Sequence, residues 1–372
     1  MRVALFYHSL VSDWNHGNAH FLRGIVGELM IRAHEVEVFE PENGWSYANL
    51  LTEHGEQAIR NFHRRFPHMD STRYDPGTID LDRALEGADL ILVHEWNEPE
   101  LVARIGEYHK RSSNAILFFH DTHHRSITDP GGMTKYDLRN YDGVLAYGAI
   151  LRRIYLDRRW ARRVWTWHEA ADLSVFQPPA ISQPVEGDVV WIGNWGDDER
   201  TAELHEFLIE PVRDLGLRAR VYGVRYPATA IQALRAAGIE YGGCLPNYEV
   251  PSVFARYRVT LHIPRRPYAT TLPGIPTIRV FEALACGIPL ISAPWRDSEG
   301  LFHPGEDFLV ARSGEEMKAH LQNILGDPEL ASRLAQKGRR AILERHACTH
   351  RVDELLRICE EVGMPQKAAS MA

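Results

Sequence analysis

Residues 274–302 read GIPTIRVFEALACGIPLISAPWRDSEGLF, and their types suit a ligand with phosphates at one end and hydroxyls at the other. Glu282 stands two turns into a predicted helix whose amino end carries no carboxylate. The free backbone N–H groups and positive dipole end of such a helix attract phosphate. A carboxylate accepts paired hydrogen bonds from a ribose diol. A small-residue exit (285–287), a short buried strand (288–292) and an acidic turn (297–300) follow. A plain helix cap with a solvated Glu accounts for the same letters equally well.

Four further groups have types that could do chemistry. The loop Asn15-His16-Gly17-Asn18 has one glycine and is not GxGxxG, which disfavours dinucleotide binding. Gly17, beside His16, still admits close backbone approach of a sugar or phosphate, or makes an ordinary turn. His120-Asp121-Thr122-His123-His124 ends an apolar run. No second ligand cluster at metal spacing accompanies it, so no metal is expected. His120 is expected to face the cleft as a hydrogen-bonding or proton-handling group, with Asp121 orienting the loop; a structural strand end is the rival. Gly193 and Asn194 open a glycine-flanked loop, and Arg200 beyond it could reach a phosphate. Asp197, Asp198 and Glu199 read as helix-cap residues. Of Arg265 and Arg266, one is expected to face a diphosphate.

The elements that must position these groups alternate. Apolar runs at 2–7, 35–39, 88–94, 115–120 and 143–146 are separated by helical patterns, which means βαβ units and a parallel sheet. The segment 42–77 lacks strand periodicity and is expected to be a mostly helical insertion. After the proline-rich stretch 177–184 the alternation resumes, with strands expected at 188–192, 219–222, 259–263 and 308–311, and long helical patterns at 314–325 and 328–362. The expected fold is α/β, with two doubly wound parallel-sheet (Rossmann-like) domains facing each other across a cleft. The boundaries are 1–178 for the first, 185–345 for the second and 346–372 for a C-terminal helix packing back on the first. In such sheets ligands sit at the carboxyl ends of the strands.

Composition narrows the classes. With 372 residues, two domains are the default. A net charge of -8 argues against a nucleic-acid partner. No apolar run is long enough for a membrane span, and the amino terminus reads as a core strand, not a signal peptide. Four cysteines without a CxxC pair fit a reducing cytoplasm. Arginines between 152 and 163 leave a peripheral membrane contact open, although a solvated helix face explains them more simply.

Taken together, these positions resemble a glycosyltransferase of the GT-B fold, from the "glycosyl transferases group 1" superfamily, with the CgeB-like branch closest. Residues 281–291 (FEALACGIPLI) resemble its E-A-x-A-C-G-x-P-V-V signature. Residues 306–310 are similar to its following strand, 327–330 to its usual ending and 168–178 to its p-x-G-v-D-x-x-x-F-x-P element. The resemblance implies a nucleotide-diphosphate sugar held mainly by the second domain. Glu282 would take the ribose, and the Thr277 and Ile278 amides, aided by Arg200, would take the diphosphate. Arg279, in the R-x-F-E form of the CgeB-like branch, would add charge there. The first domain would bind the acceptor, with His120 near the transferring sugar. One departure stands out: relatives carry a sugar-contacting glutamate where this chain has Gly274.

The expected activity is sugar transfer from a nucleotide-diphosphate sugar to an acceptor the sequence does not name: a glycan, lipid-linked sugar, protein or small molecule. No cofactor beyond that substrate is expected. Cations and a helix amino end can meet the leaving-group charge, so transfer is expected to be metal-independent. A sugar-nucleotide epimerase and a non-catalytic sugar-nucleotide-binding protein are the alternatives.

Overall fold

The computed structural model describes residues 1–112 and 114–363. Contacts between Cα atoms divide the chain into two compact units. One comprises Met1–Val11, Ile25–His168 and the chain from Cys348 onward. The other comprises Ser12–Gly24 and Glu169–Ala347. Residues 364–372, the end of the expected C-terminal segment, lie outside the described residues.

Seven strands form the sheet of the first unit: Arg2–Phe6 (β1), Glu35–Pro41 (β2), Thr72–Tyr74 (β3), Leu90–His94 (β4), Ile116–Asp121 (β5), Gly143–Ala146 (β6) and Val164–Thr166 (β7). All pairings are parallel and the order is β3-β2-β1-β4-β5-β6-β7. The central strands β4, β5 and β6 are buried along their whole length, as expected of strands covered by helices on both faces. The helix Cys348–Val362 belongs to this unit: Val352 and Leu355 are fully buried, and Trp167 Nε1 donates to Arg351 O at 2.8 Å.

The second sheet has six strands: Gly187–Ile192 (β8), Ala219–Tyr222 (β9), Ile239–Tyr241 (β10), Tyr257–His262 (β11), Leu290–Ser292 (β12) and Leu309–Val310 (β13). Its order is β10-β9-β8-β11-β12-β13, again parallel. In each sheet the first strand is central and the crossovers run outward on either side, so the direction reverses beside β1 and beside β8. These two reversals mark where a ligand fits at the carboxyl ends. The core of this unit joins Val189, Val221, Val259, Leu261 and Ile291 of the strands to Leu204, Leu208, Leu234 and Leu321 of the helices.

Several expectations need correcting. The 42–77 segment is mostly helical as expected, over Trp45–Arg65, but it also holds an unforeseen edge strand, β3, which pairs with β2. Three residues are too few to show a period, and pairing alone makes them a strand. β7 and β10 are equally short and were unforeseen. The pattern at 328–362 is two helices, Pro328–Arg345 and Cys348–Val362. His346 O accepts from Ala171 N at 2.9 Å, and His346 Nε2 meets Leu301 O at 3.0 Å. Those contacts stop the first helix where periodicity alone would continue it. Among the described residues, no helix is long and apolar enough to cross a membrane.

Candidate functional site

β8 and β9 end side by side, so the loops leaving them emerge together. Gly193 N donates to Tyr222 O and Gly223 N to Gly243 O, each at 2.8 Å. Gly223 has φ +153°, and a Cβ there would collide with the Gly193 carbonyl. Only glycine therefore allows this approach. Asn194 Oδ1 accepts from Val224 N at 2.9 Å, while its Nδ2 donates to Asn15 Oδ1. The Ser12–Gly24 segment is held further by Asp13, which accepts from Asn247 N at 2.9 Å and from Arg23 Nη1 at 3.0 Å.

These loops enclose one cavity of the second unit. Its lining includes His16, Gly17, Gly193, Asn194, Gly223, Asn247 and Arg279. Five of the residues singled out in the sequence, His16, Gly17, Gly193, Asn194 and Arg279, are thereby brought together from distant parts of the chain.

The helix Ile278–Cys286 begins beside this cavity: a Cβ on Gly17 would stand 3.4 Å from Ile278 Cγ2. Thr277 stands at its N-cap with non-helical backbone angles and no side-chain cap bond, and the first turn carries no acidic residue. Thr277 Oγ1 meets His262 Nε2 at 3.0 Å, and Ser292 Oγ meets His262 Nδ1 at 2.8 Å. Burial first, then the Arg200 and Arg279 charges, holds His262 down at about 3, so the ring is neutral.

Glu282 is fully buried and does not line the cavity. Its Oε2 accepts from Arg279 Nη1, and its Oε1 lies 2.6 Å from His20 Nδ1. Glu169 is buried nearby, and burial together with the Glu282 charge pushes its carboxyl well above the usual range.

The other expected cations are engaged. Arg200 is half-buried and donates to Ile263 O at 2.9 Å and to Asn194 O, with its guanidinium over Trp191. Burial, then Arg265, lowers it to about 9. Its hydrogen bonds clamp the Gly193–Trp195 loop. Arg265 pairs with Glu199 at 2.9 Å and Arg266 with Glu203 at 3.1 Å. Asp197, Asp198 and Glu199 form a 3-10 turn and make no side-chain cap. Gly274 has φ +91°, and a Cβ there would lie 2.7 Å from Ser298 Oγ and 2.8 Å from Glu299 Oε1. The left-handed backbone there disfavours any side chain, and the Ser298 and Glu299 side chains would have to shift to admit one.

In the first unit, His120 differs from the expectation of a cleft-facing group. It is fully buried between His94 (5.4 Å between ring centres) and Trp167 (4.8 Å), and burial lowers it to about 3. Asp121 accepts from His123 N at 3.0 Å and from Tyr155 OH at 2.8 Å. Glu95, which the sequence did not single out, lies fully buried at the end of β4 and pairs with Arg125. Burial pushes Glu95 up to about 8 against the pull of Arg125, with Asp121 adding to the rise. Among the described residues, no group of three or more His, Cys, Asp or Glu side chains is placed to hold a metal ion.

The family model described as glycosyl transferase-like matches residues 200–357, a span containing Glu282, Arg279 and most of the second sheet. Among curated proteins none matches the sequence. Solved structures of similar fold include sucrose-phosphate synthase from Thermosynechococcus elongatus, at 16% identity over 98% of this chain and 100% of that one, with a TM-score of 0.67. HepE of Anabaena in complex with UDP and glucose is 13% identical over 97% of this chain and 99% of that one, with a TM-score of 0.66. An alpha-glucosyltransferase in complex with UDP and a 13-mer DNA is 12% identical over 97% and 99%, with a TM-score of 0.65. Residues 200–357 thus match a glycosyl transferase-like family model, and the two parallel-sheet units share the GT-B fold of these solved structures.

Proposed function

We propose that the protein transfers a sugar from a nucleoside-diphosphate sugar to an acceptor, without a divalent metal and in the cytoplasm. The cavity of the second unit carries this reading, because it gathers His16, Gly17, Gly193, Asn194 and Arg279 at the carboxyl end of a doubly wound sheet. Glycine backbones admit a ligand closely, Arg279 supplies a cation on the wall, and the uncapped amino end of Ile278–Cys286 supplies aligned N–H groups for a diphosphate. Glu282 follows on the same helix as the acceptor for a ribose diol. Similar structures are described in complex with UDP or UDP-glucose, which supports a nucleotide sugar as donor.

The charge that develops on the departing diphosphate is met by the helix end, by Arg279 and by the nearby charge of Arg200. The first unit is assigned the acceptor. The balance of -8 favours an acceptor other than nucleic acid. The R-x-F-E form at 279–282 supports placement in the CgeB-like branch.

Isothermal calorimetry with UDP, ADP and GDP tests the donor assignment. Binding of one of them, weakened about tenfold or more in Glu282→Ala, is the expected result, since hydrogen bonds to a charged group contribute roughly 1.5–3 kcal/mol. Unchanged affinity in the variant defeats the ribose role. Sugar transfer that persists in excess chelator supports metal independence; activity lost in chelator and restored by manganese refutes it.

A further inference from the structure

The Ser12–Gly24 segment groups with the second unit, although the chain on both sides of it groups with the first. It crosses the cavity wall as a strap held at several points: Asp13 to Asn247, Asn15 to Asn194, Gly17 against Ile278 and His20 to Glu282. The last of these bears on the ribose assignment. A diol needs carboxylate oxygens free to accept, yet Arg279 holds Oε2 of Glu282 and His20 lies against Oε1.

The His20 contact is close but poorly satisfied. Nδ1 and Nε2 of His20 and Oε1 of Glu282 are buried without an aligned hydrogen bond, and the His20 ring is packed 4.3 Å from that of Phe176. Buried polar atoms left in this condition are costly. A hydroxyl donor directed at Oε1 removes part of that cost, which the His20 ring in its present position does not do.

We propose that His20 and the ribose diol compete for Glu282, so that the 12–24 strap must withdraw its histidine before a nucleotide engages fully. This rests on the donor reading above. A ligand whose binding-competent arrangement is only partly populated binds more weakly by that fraction, and His20 sets the fraction here.

Calorimetry is run with UDP, ADP and GDP on the full chain, its His20→Ala variant and its His20→Leu variant, which keeps volume beside Phe176. Thermal melting of each variant checks that it is folded. The expected result is binding about tenfold tighter in both variants for whichever nucleotide the unsubstituted chain prefers. The gain should vanish for the 2′,3′-dideoxy form of that nucleotide and in a Glu282→Ala background, because neither leaves anything to compete for. Unchanged or weaker binding in both folded variants, with Glu282→Ala still weakening it, overturns the strap and leaves the donor reading standing. Failure of all three nucleotides to bind any of the proteins overturns the donor reading and the strap with it.

Discussion

Three buried histidines tie the stability of this chain to pH. Burial holds His8 at about 4 and both His120 and His262 at about 3, from an ordinary value of 6.5. In the unfolded chain they bind protons near 6.5, so below that pH the unfolded state takes up more protons than the folded one. Each group then costs up to about 1.4 kcal/mol of stability per pH unit. The denaturant midpoint is expected to fall as pH drops from 6.5 towards 4, with a shallower slope in His120→Gln. Glu95 acts in the opposite range. Burial raises its carboxyl above the ordinary 4.5 against the pull of Arg125, so the folded state holds its proton more tightly than the unfolded one and stability declines as pH rises above 4.5. Glu95→Gln should flatten that decline, measured by urea unfolding at pH 5 and pH 8. Neither effect is legible in the letters. His120 was marked as reactive because it ends a strand, but the helix Cys348–Val362 and Trp167 belong to the same unit and the ring is enclosed. Glu95 sits in HEWNEPE, which reads as a solvated loop until β5 and Arg125 close around it.

At the scale of elements, the loop leading into the helix Ile278–Cys286 shows why a missing side chain is structural. Gly274 is left-handed and packed on the acidic turn at 297–300. Gly274→Glu, which installs the glutamate that the family resemblance implies for this position, should lower stability by about 1–3 kcal/mol, read by denaturant unfolding, since the left-handed backbone opposes a side chain. The helix itself was legible from its apolar spacing and its Gly287 exit, which adopts φ +67° as a C-terminal cap. The stretch 201–215 is one of the helical segments that the strand–helix alternation implied only in general terms. It folds as a short α-turn, a π-turn at His205–Ile209 and a second α-turn, and the register change within it follows from packing.

At the scale of the whole molecule, the exchange of chain segments between units has a measurable consequence. Val352, Leu355, Ile358 and Cys359 bury their side chains in the first unit, and Trp167 Nε1 finds its acceptor at Arg351 O. A chain ending at residue 347 loses those contacts. About 5 kcal/mol or more of apolar burial goes with them, at roughly 1.5–3 kcal/mol per large aliphatic side chain. Thermal unfolding followed by tryptophan fluorescence should show a lower first transition in that truncation.

The sequence by itself determined the α/β class, the two parallel sheets and the helix bearing Glu282, because apolar period and turn residues are local properties of the chain. It also marked His16, Gly17, Gly193, Asn194 and Arg279 as separate candidates. Only tertiary structure decided that these five line one cavity, since strand order and the grouping of the 12–24 segment with the second unit are long-range facts. It likewise decided that Glu282 is enclosed by His20 and Arg279 and that His120 is buried. Burial and pairing depend on what a fold brings alongside a residue, and no spacing along the chain encodes that.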